Sequence, residues 1–290
     1  MVNSPLPDDP SAEWEDILYR EDDFVAWITI NRPEVLNALR TQTYVELTQA
    51  VEYAADRPEV GVIVLIGAGE RAFSSGGDVR DQKGRTPAGG RAHLRRVLAL
   101  GQALRNCGKP TIAAVRGYCV AAGHELHLMC DLTVSAETGK FGQTGPRVGM
   151  VPVWGATEIL PRIVGEKVAR EMLYTTCFFT AEEALAKGLV NKVVPSEKLE
   201  DEVRALCDRI LEHSSQSLRV AKLSLNYATD EMWPAFTHGA ELISQFYGSP
   251  EQVEGATAFA EKRKPDYRGL RLRPSGAEPE PEPAAAEEAR

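Results

Sequence analysis

A glutamate within an apolar segment is the first feature of this sequence that could carry chemistry. Glu125 lies in the stretch GYCVAAGHELHLMCD, residues 117–131, between His124 and His127. The surrounding leucines, alanines and methionine predict a buried helix. Ionised carboxylates are seldom buried without a partner. The pattern therefore predicts either a helix that reaches the surface here or a glutamate that transfers protons.

Two turns rich in small residues interrupt the predicted pattern of strands. The segment SSGGD, residues 74–78, follows an apolar run that begins at Val60, and AAG, residues 121–123, directly precedes the helix that contains Glu125. In α/β proteins ligands bind at the carboxyl ends of strands, where a starting helix offers free backbone N–H donors. Two such turns could aim two donors at one oxygen.

Other interpretations of these residues remain open. The SSGGD segment is also a plain turn in which Asp78 caps a short helix. His124, His127 and Cys130 recur every three residues and could in principle bind zinc, but this spacing drifts around a helix and lacks the H-E-x-x-H pattern of metalloproteases. We therefore expect no metal site, and we expect the histidines to lie in the core or behind the site.

Composition indicates an ordinary globular protein of 290 residues with a net charge of −9, so nucleic acid is not an expected partner. The five cysteines are odd in number and widely spaced, which favours free thiols in a reducing compartment. The N-terminal segment lacks the basic and apolar parts of a signal peptide, and no long apolar run predicts a membrane span. We expect a cytoplasmic protein that does not bind membranes.

The elements that must position these residues alternate between strand and helix. Short apolar runs from Phe24, Val60, Pro110 and Asp131 predict strands, and the segment 41–56 predicts a helix between the first two. Alternation of this kind predicts an α/β fold with a largely parallel sheet. We expect four parts of the chain: a flexible N-terminus at 1–13, an α/β core at 14–198, a helical region at 199–268, and a disordered tail rich in Pro, Glu and Ala at 269–290.

Five motifs together resemble the enoyl-CoA hydratase/isomerase, or crotonase, superfamily. They are NRPEVLNAL, AFSSGGDVR, AAGHELHLMCDLTVSAETGKFGQ, GLVNKVVP and EGATAFAEKRKPDY. Their order and spacing match that family from about Trp14 to Tyr267. The resemblance implies a spiral of ββα units followed by helices that build a trimer or a dimer of trimers. It also implies an enzyme of acyl-CoA and fatty acid metabolism.

The family's shared chemistry implies roles for three positions. Two backbone N–H groups stabilise the enolate of an acyl-CoA thioester, and by position they belong to Gly77 and Ala122. Glu125 falls on one of the two glutamates that activate water in the family's hydratases. The second glutamate would lie at Gly145, where this sequence departs from the hydratase pattern. Hydratase-type lyase chemistry with Glu125 as acid and base is the leading interpretation.

The motifs look closest to a subgroup that makes or breaks carbon–carbon bonds in rings, dihydroxynaphthoyl-CoA synthase and ketocyclohexanecarboxyl-CoA hydrolase. In that form Gln143, Thr144 and Gly145 resemble a pocket in which bicarbonate replaces the missing carboxylate, and Tyr247 falls on a catalytic tyrosine. The chain departs from the subgroup at residues 149–152, GMVP, and at Leu173, which replaces a tryptophan. Ring chemistry is therefore the alternative, and a member that binds CoA esters without turnover is a third.

The remaining implied contacts concern the CoA moiety of the substrate. Lys262 falls on a lysine that in the family contacts the CoA phosphates of a neighbouring subunit, with a solvated charged surface as the plain alternative. Arg80 in the AFSSGGDVR motif is a second expected CoA contact. No covalently bound cofactor is implied. Coenzyme A enters as part of the substrate, and bicarbonate as a base in the alternative reaction.

Overall fold

The computed structural model describes residues 13–152 and 154–272 of the chain. Its strands are β1 (Ile17–Asp22), β2 (Val25–Ile30), β3 (Val62–Gly67), β4 (Ala72–Ser74), β5 (Thr111–Val115), β6 (Tyr118–Val120), β7 (Leu132–Ala136), β8 (Lys140–Gly142), β9 (Phe178–Thr180) and β10 (Lys192–Val194). Its α-helices are α1 (Thr41–Asp56), α2 (Val79–Gln82), α3 (Pro87–Asn106), α4 (Ala122–Leu128), α5 (Leu160–Val164), α6 (Glu166–Thr175), α7 (Ala181–Ala186), α8 (Leu199–Leu211), α9 (Ser215–Asp230), α10 (Trp233–Phe246), α11 (Pro250–Ala260) and α12 (Tyr267–Arg271).

The larger sheet has the order β1-β2-β3-β5-β7-β10 within the described residues, and only the β1–β2 pair is antiparallel. Strand β3, VIVLIG, is buried along its whole length. Such a continuous apolar run is expected where both faces of a parallel sheet are covered. Apolar side chains of α1 and α3 pack on one face, and those of α8 pack on the other.

The smaller sheet has the order β4-β6-β8-β9, and its strands have three residues each. Each of β3, β5 and β7 belongs to the larger sheet, and the strand that follows it in the chain belongs to the smaller one. The chain thus alternates between the two sheets and adds helices between the passes. This α/β arrangement is the ββα spiral that the resemblance implies, so the predicted fold class is confirmed.

Helices α8 to α12 form the C-terminal helical region. Helix α9 is anchored to the sheet by Lys222, whose Nζ donates to Asp131 Oδ2 at 2.8 Å and to the Lys109 carbonyl at 2.9 Å. Arg105 of α3 holds the other end of α9 by donating to the Asn226 carbonyl at 3.1 Å. A cation at the C-terminal end of a helix is also stabilised by the helix dipole.

Helix α11 lies against the 3₁₀ turn Gly145–Val148 and the residue after it. A side chain at Gly149, which has φ +66°, would overlap the backbone of α11 at Glu251. A side chain at Gly255 of α11 would in turn overlap the backbone of Val148. Two glycines therefore let the turn and the helix meet backbone to backbone.

Phe236 and Tyr247 of the C-terminal part are 1% and 4% exposed in the single chain. They are covered mainly because α10 packs along α3. The expected disordered tail begins too early at 269, because α12 runs to Arg271. Residues 273–290, and 1–12 of the expected flexible N-terminus, lie outside the described residues.

Candidate active site

The two small-residue turns meet in the structure. Gly76 has φ +98°, a conformation that side chains rarely adopt, and a Cβ atom there would lie 2.6 Å from Ala121 Cβ and 3.2 Å from Ala122 N. Gly123 is equally close to the neighbouring strand end, since its Cβ would meet the Ser74 carbonyl at 2.5 Å. Glycines at these positions let the turn after β4 and the start of α4 touch.

Each turn presents a backbone N–H that its own secondary structure does not use. Leu39 bridges the first turn by donating to the Gly76 carbonyl at 2.8 Å and accepting from Asp78 N–H at 2.9 Å, and this pairing passes over the N–H of Gly77. Ala122 is the first residue of α4, whose first N–H groups have no partner within the helix. The geometry is that of two donors at adjoining turns.

Helix α4 begins with strained backbone at Ala121, which has φ +50° and ψ −125°. Its first turn closes through the Glu125 N–H, which donates to the Ala121 carbonyl at 3.0 Å. Glu125 is 7% exposed and lies one turn from Ala122 on the same helix. Glu125 therefore sits in the first turn of a helix, where a carboxylate is favoured by the helix dipole, beside the Ala122 donor.

Behind Glu125, two neutral histidines support α4. His124 Nδ1 is 3.0 Å from Gln143 Nε2, His127 Nδ1 is 3.1 Å from Thr133 Oγ1, and the two rings meet edge to face at 4.8 Å. Burial lowers the pKa of His124 to about 3, and burial and His124 lower the pKa of His127. Both rings are therefore uncharged at neutral pH, in keeping with the expected supporting role.

The residues of the expected bicarbonate pocket lie in two different environments. The amide of Gln143 is fully buried and contacts His124, so it supports α4. Thr144 precedes the 3₁₀ turn that starts at Gly145, and that turn brings the Met150 carbonyl to 3.0 Å from the place a Gly145 Cβ would take. A second carboxylate at 145 would require this carbonyl to move.

Tyr247 reaches the site from the same chain. It follows α10, is 4% exposed, and packs its ring against Gly90 of α3. Arg85 Nη1 lies 3.5 Å from the Tyr247 hydroxyl, and the guanidinium lies 5.5 Å from the ring centroid. Burial raises the pKa of Tyr247, while the neighbouring Arg85 opposes that rise. The phenol is therefore protonated at neutral pH.

Three further residues that the sequence did not single out belong to this neighbourhood: Tyr44, Asp81 and Arg85. Asp81 pairs with Arg85 at 2.6 Å, and it accepts from Thr41 Oγ1 at 2.9 Å at the start of α1. Burial raises the pKa of Tyr44, and the Glu125 carboxylate is the next largest cause. Signals existed in the sequence, because Tyr44 lies one helical turn from Thr41 and the pair 81 and 85 has helical spacing.

The expected CoA contacts, Arg80 and Lys262, are both exposed. Lys262 follows α11 and has φ +55°. Neither side chain forms an ion pair within residues 13–152 and 154–272. Both are therefore accessible to a phosphate group.

The structure also shows features that lie away from this site. In the part of the chain that is described, no three His, Cys, Asp or Glu side chains are placed to hold a metal ion. A cavity of about 540 Å³ opens where β3 and β5 begin, bordered by Arg57, Lys109 and Arg219. It lies where strands of the larger sheet begin, whereas the two turns follow β4 and β6 of the smaller sheet. None of the described helices has the length and apolar character that a bilayer span requires.

Comparison with known proteins gives one consistent family. The family model for enoyl-CoA hydratase/isomerase matches residues 20–270. An enoyl-CoA hydratase from Mycobacterium avium subsp. paratuberculosis is 31% identical with a TM-score of 0.79, and the match covers 87% of this chain and 98% of that one. An enoyl-CoA hydratase/isomerase from Xanthobacter autotrophicus is 32% identical with a TM-score of 0.78, covering 87% and 99%. An enoyl-CoA hydratase subunit from Geobacillus kaustophilus is 35% identical with a TM-score of 0.71, covering 89% and 99%.

Proposed function

Because the chain belongs to the enoyl-CoA hydratase/isomerase family, we propose that it hydrates a 2-enoyl-CoA thioester with Glu125 as acid and base. The observation that carries this proposal is the contact between the two turns, with Gly76 against Ala121 and Ala122, next to the helix that bears Glu125. Neighbouring N–H groups with no strand or helix partner suit the oxygen of a thioester.

The chemistry follows from where charge appears. Water adds to the β-carbon as Glu125 accepts its proton, and the electron pair of the double bond moves to the thioester oxygen. The N–H groups of Gly77 and Ala122 stabilise that enolate oxygen, and loss of one such donor costs about 3 kcal/mol of transition-state stabilisation. Protonated Glu125 then returns the proton to the α-carbon. One carboxylate thus serves both proton transfers.

A ring-forming or ring-cleaving reaction at a carbon–carbon bond is the second candidate, and two observations favour it. Gly145 stands where hydratases carry their second carboxylate, with the Met150 carbonyl closing over it. Tyr247 lies beside Arg85, which opposes the rise that burial causes in the pKa of Tyr247. In this reaction Tyr247 is the acid or base, and bicarbonate near Thr144 and Gly145 takes the place of the carboxylate.

Two substitutions distinguish these reactions. Under hydration, Glu125→Gln lowers kcat by about two to four powers of ten, and Tyr247→Phe has a small effect. Under ring chemistry the order reverses, and added bicarbonate raises the rate of the unaltered enzyme. The measurement is turnover of crotonyl-CoA, a cyclic β-keto acyl-CoA and succinylbenzoyl-CoA, with products identified by mass. A chain that binds all three without turnover would be a CoA-ester-binding protein.

The CoA part of the substrate is proposed to contact Arg80 and Lys262, both exposed and basic. Arg80→Ala and Lys262→Ala should each raise KM for the CoA thioester, because each removes a charge-assisted contact to phosphate. The same acyl group on N-acetylcysteamine, which lacks the nucleotide, is the control and should show no change. An equal effect on both thioesters would remove these residues from the CoA site.

The wider setting is part of the same proposal. We place the enzyme in the cytoplasm, in fatty acid or related acyl-CoA metabolism, as a homotrimer or a dimer of trimers. All five cysteines are free thiols, which fits a reducing compartment.

A further inference from the structure

We propose that Tyr44, Tyr247 and Arg85 form a subsite for the acyl group that selects a neutral, oxygen-bearing chain over a plain hydrocarbon chain and over a carboxylate-bearing one. A hydroxyl or a carbonyl oxygen is the chemistry that this subsite would recognise. The inference rests on the proposed acyl-CoA function and names its substrate class.

Tyr44 presents a rigid hydroxyl to accessible space. Its ring is held on the buried face of α1 by edge contacts with His93, at 5.3 Å between centroids, and with Trp154, at 5.9 Å. The side chain is 2% exposed, and its hydroxyl makes no hydrogen bond to any residue of the described ranges. It is not among the described polar atoms that are both sealed from solvent and unsatisfied. The hydroxyl therefore borders open space within a buried setting.

The groups around this hydroxyl are those of the candidate site. Arg85 Nη2 donates to Thr41 Oγ1 at 3.2 Å, one helical turn before Tyr44 on α1, and Arg85 Nη1 donates to the Tyr247 hydroxyl at 3.5 Å. The Glu125 carboxylate and Tyr247 add to the effect of burial on the pKa of Tyr44. Burial raises the pKa of Tyr44 and of Tyr247, so both phenols are protonated at neutral pH. Each can donate one hydrogen bond. Two buried phenol donors thus lie in the neighbourhood of Arg85.

Arg85 adds a fixed donor to this group but no net positive charge. Its side chain is 10% exposed, and its Nη2 donates to Asp81 Oδ2 at 2.6 Å and to Thr41 Oγ1 at 3.2 Å. Among the residues that the structure describes, Nη1 donates to the Tyr247 hydroxyl alone, at 3.5 Å. These contacts leave donor capacity on Nη1, because an arginine carries five N–H groups.

The charges at this place disfavour an anion. Asp81 offsets Arg85, and Glu125 adds a further negative charge when ionised. His93, 3.0 Å from Thr41 Oγ1, contributes none, because burial lowers its pKa to about 4. A carboxylate on the acyl chain would meet net negative charge in a poorly solvated site, whereas a neutral oxygen would accept hydrogen bonds without this repulsion.

A hydrocarbon chain would be disfavoured for another reason. It would displace water from the two hydroxyls and leave buried donors without acceptors, which is costly. We expect a preference of about tenfold to a hundredfold in kcat/KM for the oxygenated chain, the range that one unmade hydrogen bond to a buried donor gives.

The test compares acyl-CoA thioesters of equal length: 2-hexenoyl-CoA, its 4-, 5- and 6-hydroxy and 5-oxo derivatives, and 2-hexenedioyl-CoA. We expect at least one hydroxy or oxo derivative to exceed both the hydrocarbon and the dicarboxylic thioester in kcat/KM by tenfold or more. Tyr44→Phe should abolish that advantage, so that the ratio of kcat/KM between the oxygenated thioester and 2-hexenoyl-CoA falls to about one. Tyr53→Phe is the matched control, because Tyr53 is a buried tyrosine of the same helix whose hydroxyl lies at Arg57 instead.

A preference for the hydrocarbon chain or for the dicarboxylic thioester would overturn the inference. So would a Tyr44→Phe variant that loses the same factor on every substrate, since that is a structural effect. Binding of the saturated hexanoyl-CoA and 5-oxohexanoyl-CoA, measured by calorimetry, separates this inference from the proposed reaction. If binding shows a Tyr44-dependent preference for the oxygenated thioester but no thioester is hydrated, only the proposed hydration is contradicted. If thioesters are hydrated without that preference, only the subsite is contradicted. Failure of every thioester to bind would contradict both the subsite and the proposed function.

Discussion

Gly76 is the residue at which the two turns of the candidate site touch. Gly76→Ala should lower kcat at least tenfold with a smaller change in KM, because a methyl group there would press on Ala121 and separate the two proposed N–H donors. Steady-state kinetics on the substrate that the panel identifies gives this result.

The chain offers a matched control for that substitution. Gly84 also has positive φ, at +71°, but nothing lies within 4 Å of its missing Cβ. Gly84→Ala therefore carries the backbone strain without the collision, and its kinetics should stay close to those of the unaltered enzyme. Equal losses in the two variants would mean that backbone strain, and not the contact between turns, explains the effect.

The buried histidines predict a dependence of stability on pH. The pKa of His124 is about 3 in the folded chain and 6.5 when solvated, so the unfolded chain binds more protons between these values. Its contribution to stability is present above pH 6.5 and is lost as pH falls toward 3. Between pH 7.5 and 5.5 this histidine should account for about 1.4 kcal/mol of lost unfolding free energy.

Urea unfolding at both pH values measures that loss. His124→Asn should reduce the loss by this amount, even if the variant is less stable overall. His213→Asn, at an exposed histidine, should leave the loss unchanged. If both variants lose stability between the two pH values as the unaltered chain does, His124 does not act as we describe.

At the scale of elements, Lys222 is a buried cation that attaches α9 to the sheet. Lys222 is 6% exposed, and Lys222→Met would keep the length of the side chain but remove its bonds to Asp131 and the Lys109 carbonyl. Asp131 retains hydrogen bonds from Thr111, so we expect a loss of about 2 kcal/mol in unfolding free energy.

A surface lysine provides the comparison for this measurement. Lys198 pairs with Asp201 at 4.0 Å, and both side chains are more than half exposed. Lys198→Met should leave the unfolding midpoint unchanged, because exposed ion pairs contribute little. Equal stability of the Lys222→Met variant would contradict the anchoring role.

The sequence predicted the elements whose apolar pattern is long and continuous. Helix α1 has the predicted bounds, and β2, β3, β5 and β7 lie within the predicted apolar runs. The sequence did not predict β1, most of whose residues are exposed, or the three-residue strands of the smaller sheet. Runs that short carry too little periodicity to be recognised.

The site shows the same division. Gly77, Ala122 and Glu125 could be found because turns of small residues and a glutamate in an apolar helix stand out locally. Tyr44 and Arg85 join them only because α1 and the segment after α2 fold back toward Tyr247. The contact between Arg85 and Tyr247 joins residues more than 160 positions apart in the chain. Contacts between residues so far apart in the chain cannot be predicted from local sequence patterns.

For the whole molecule, the exposed face of α9 predicts self-association. Val220 and Tyr227 are 61% and 75% exposed, and with Leu223 they follow helical spacing along one face. Exposed apolar patches of this kind are typical of interaction surfaces. Light scattering at micromolar concentration should give three or six times the chain mass of 31.7 kDa.

A charged substitution tests which surface is responsible. Tyr227→Glu should lower the measured mass, because burial of a carboxylate in an apolar contact is costly. Tyr174→Glu is the control, since Tyr174 is 73% exposed but belongs to α6. A single-chain mass for the unaltered protein would rule out the assembly, and an unaffected Tyr227→Glu variant would move the contact elsewhere.

The glycine contact between the 145–149 turn and α11 has a consequence for how this enzyme can diverge. A carboxylate introduced at Gly145 must displace the Met150 carbonyl. The turn cannot move independently, because Gly149 and Gly255 press it against α11. Two segments about one hundred positions apart are therefore inherited as one block. Recombination with a two-carboxylate relative should give active chimeras when 143–152 and 249–260 are exchanged together, and defective ones when either is exchanged alone.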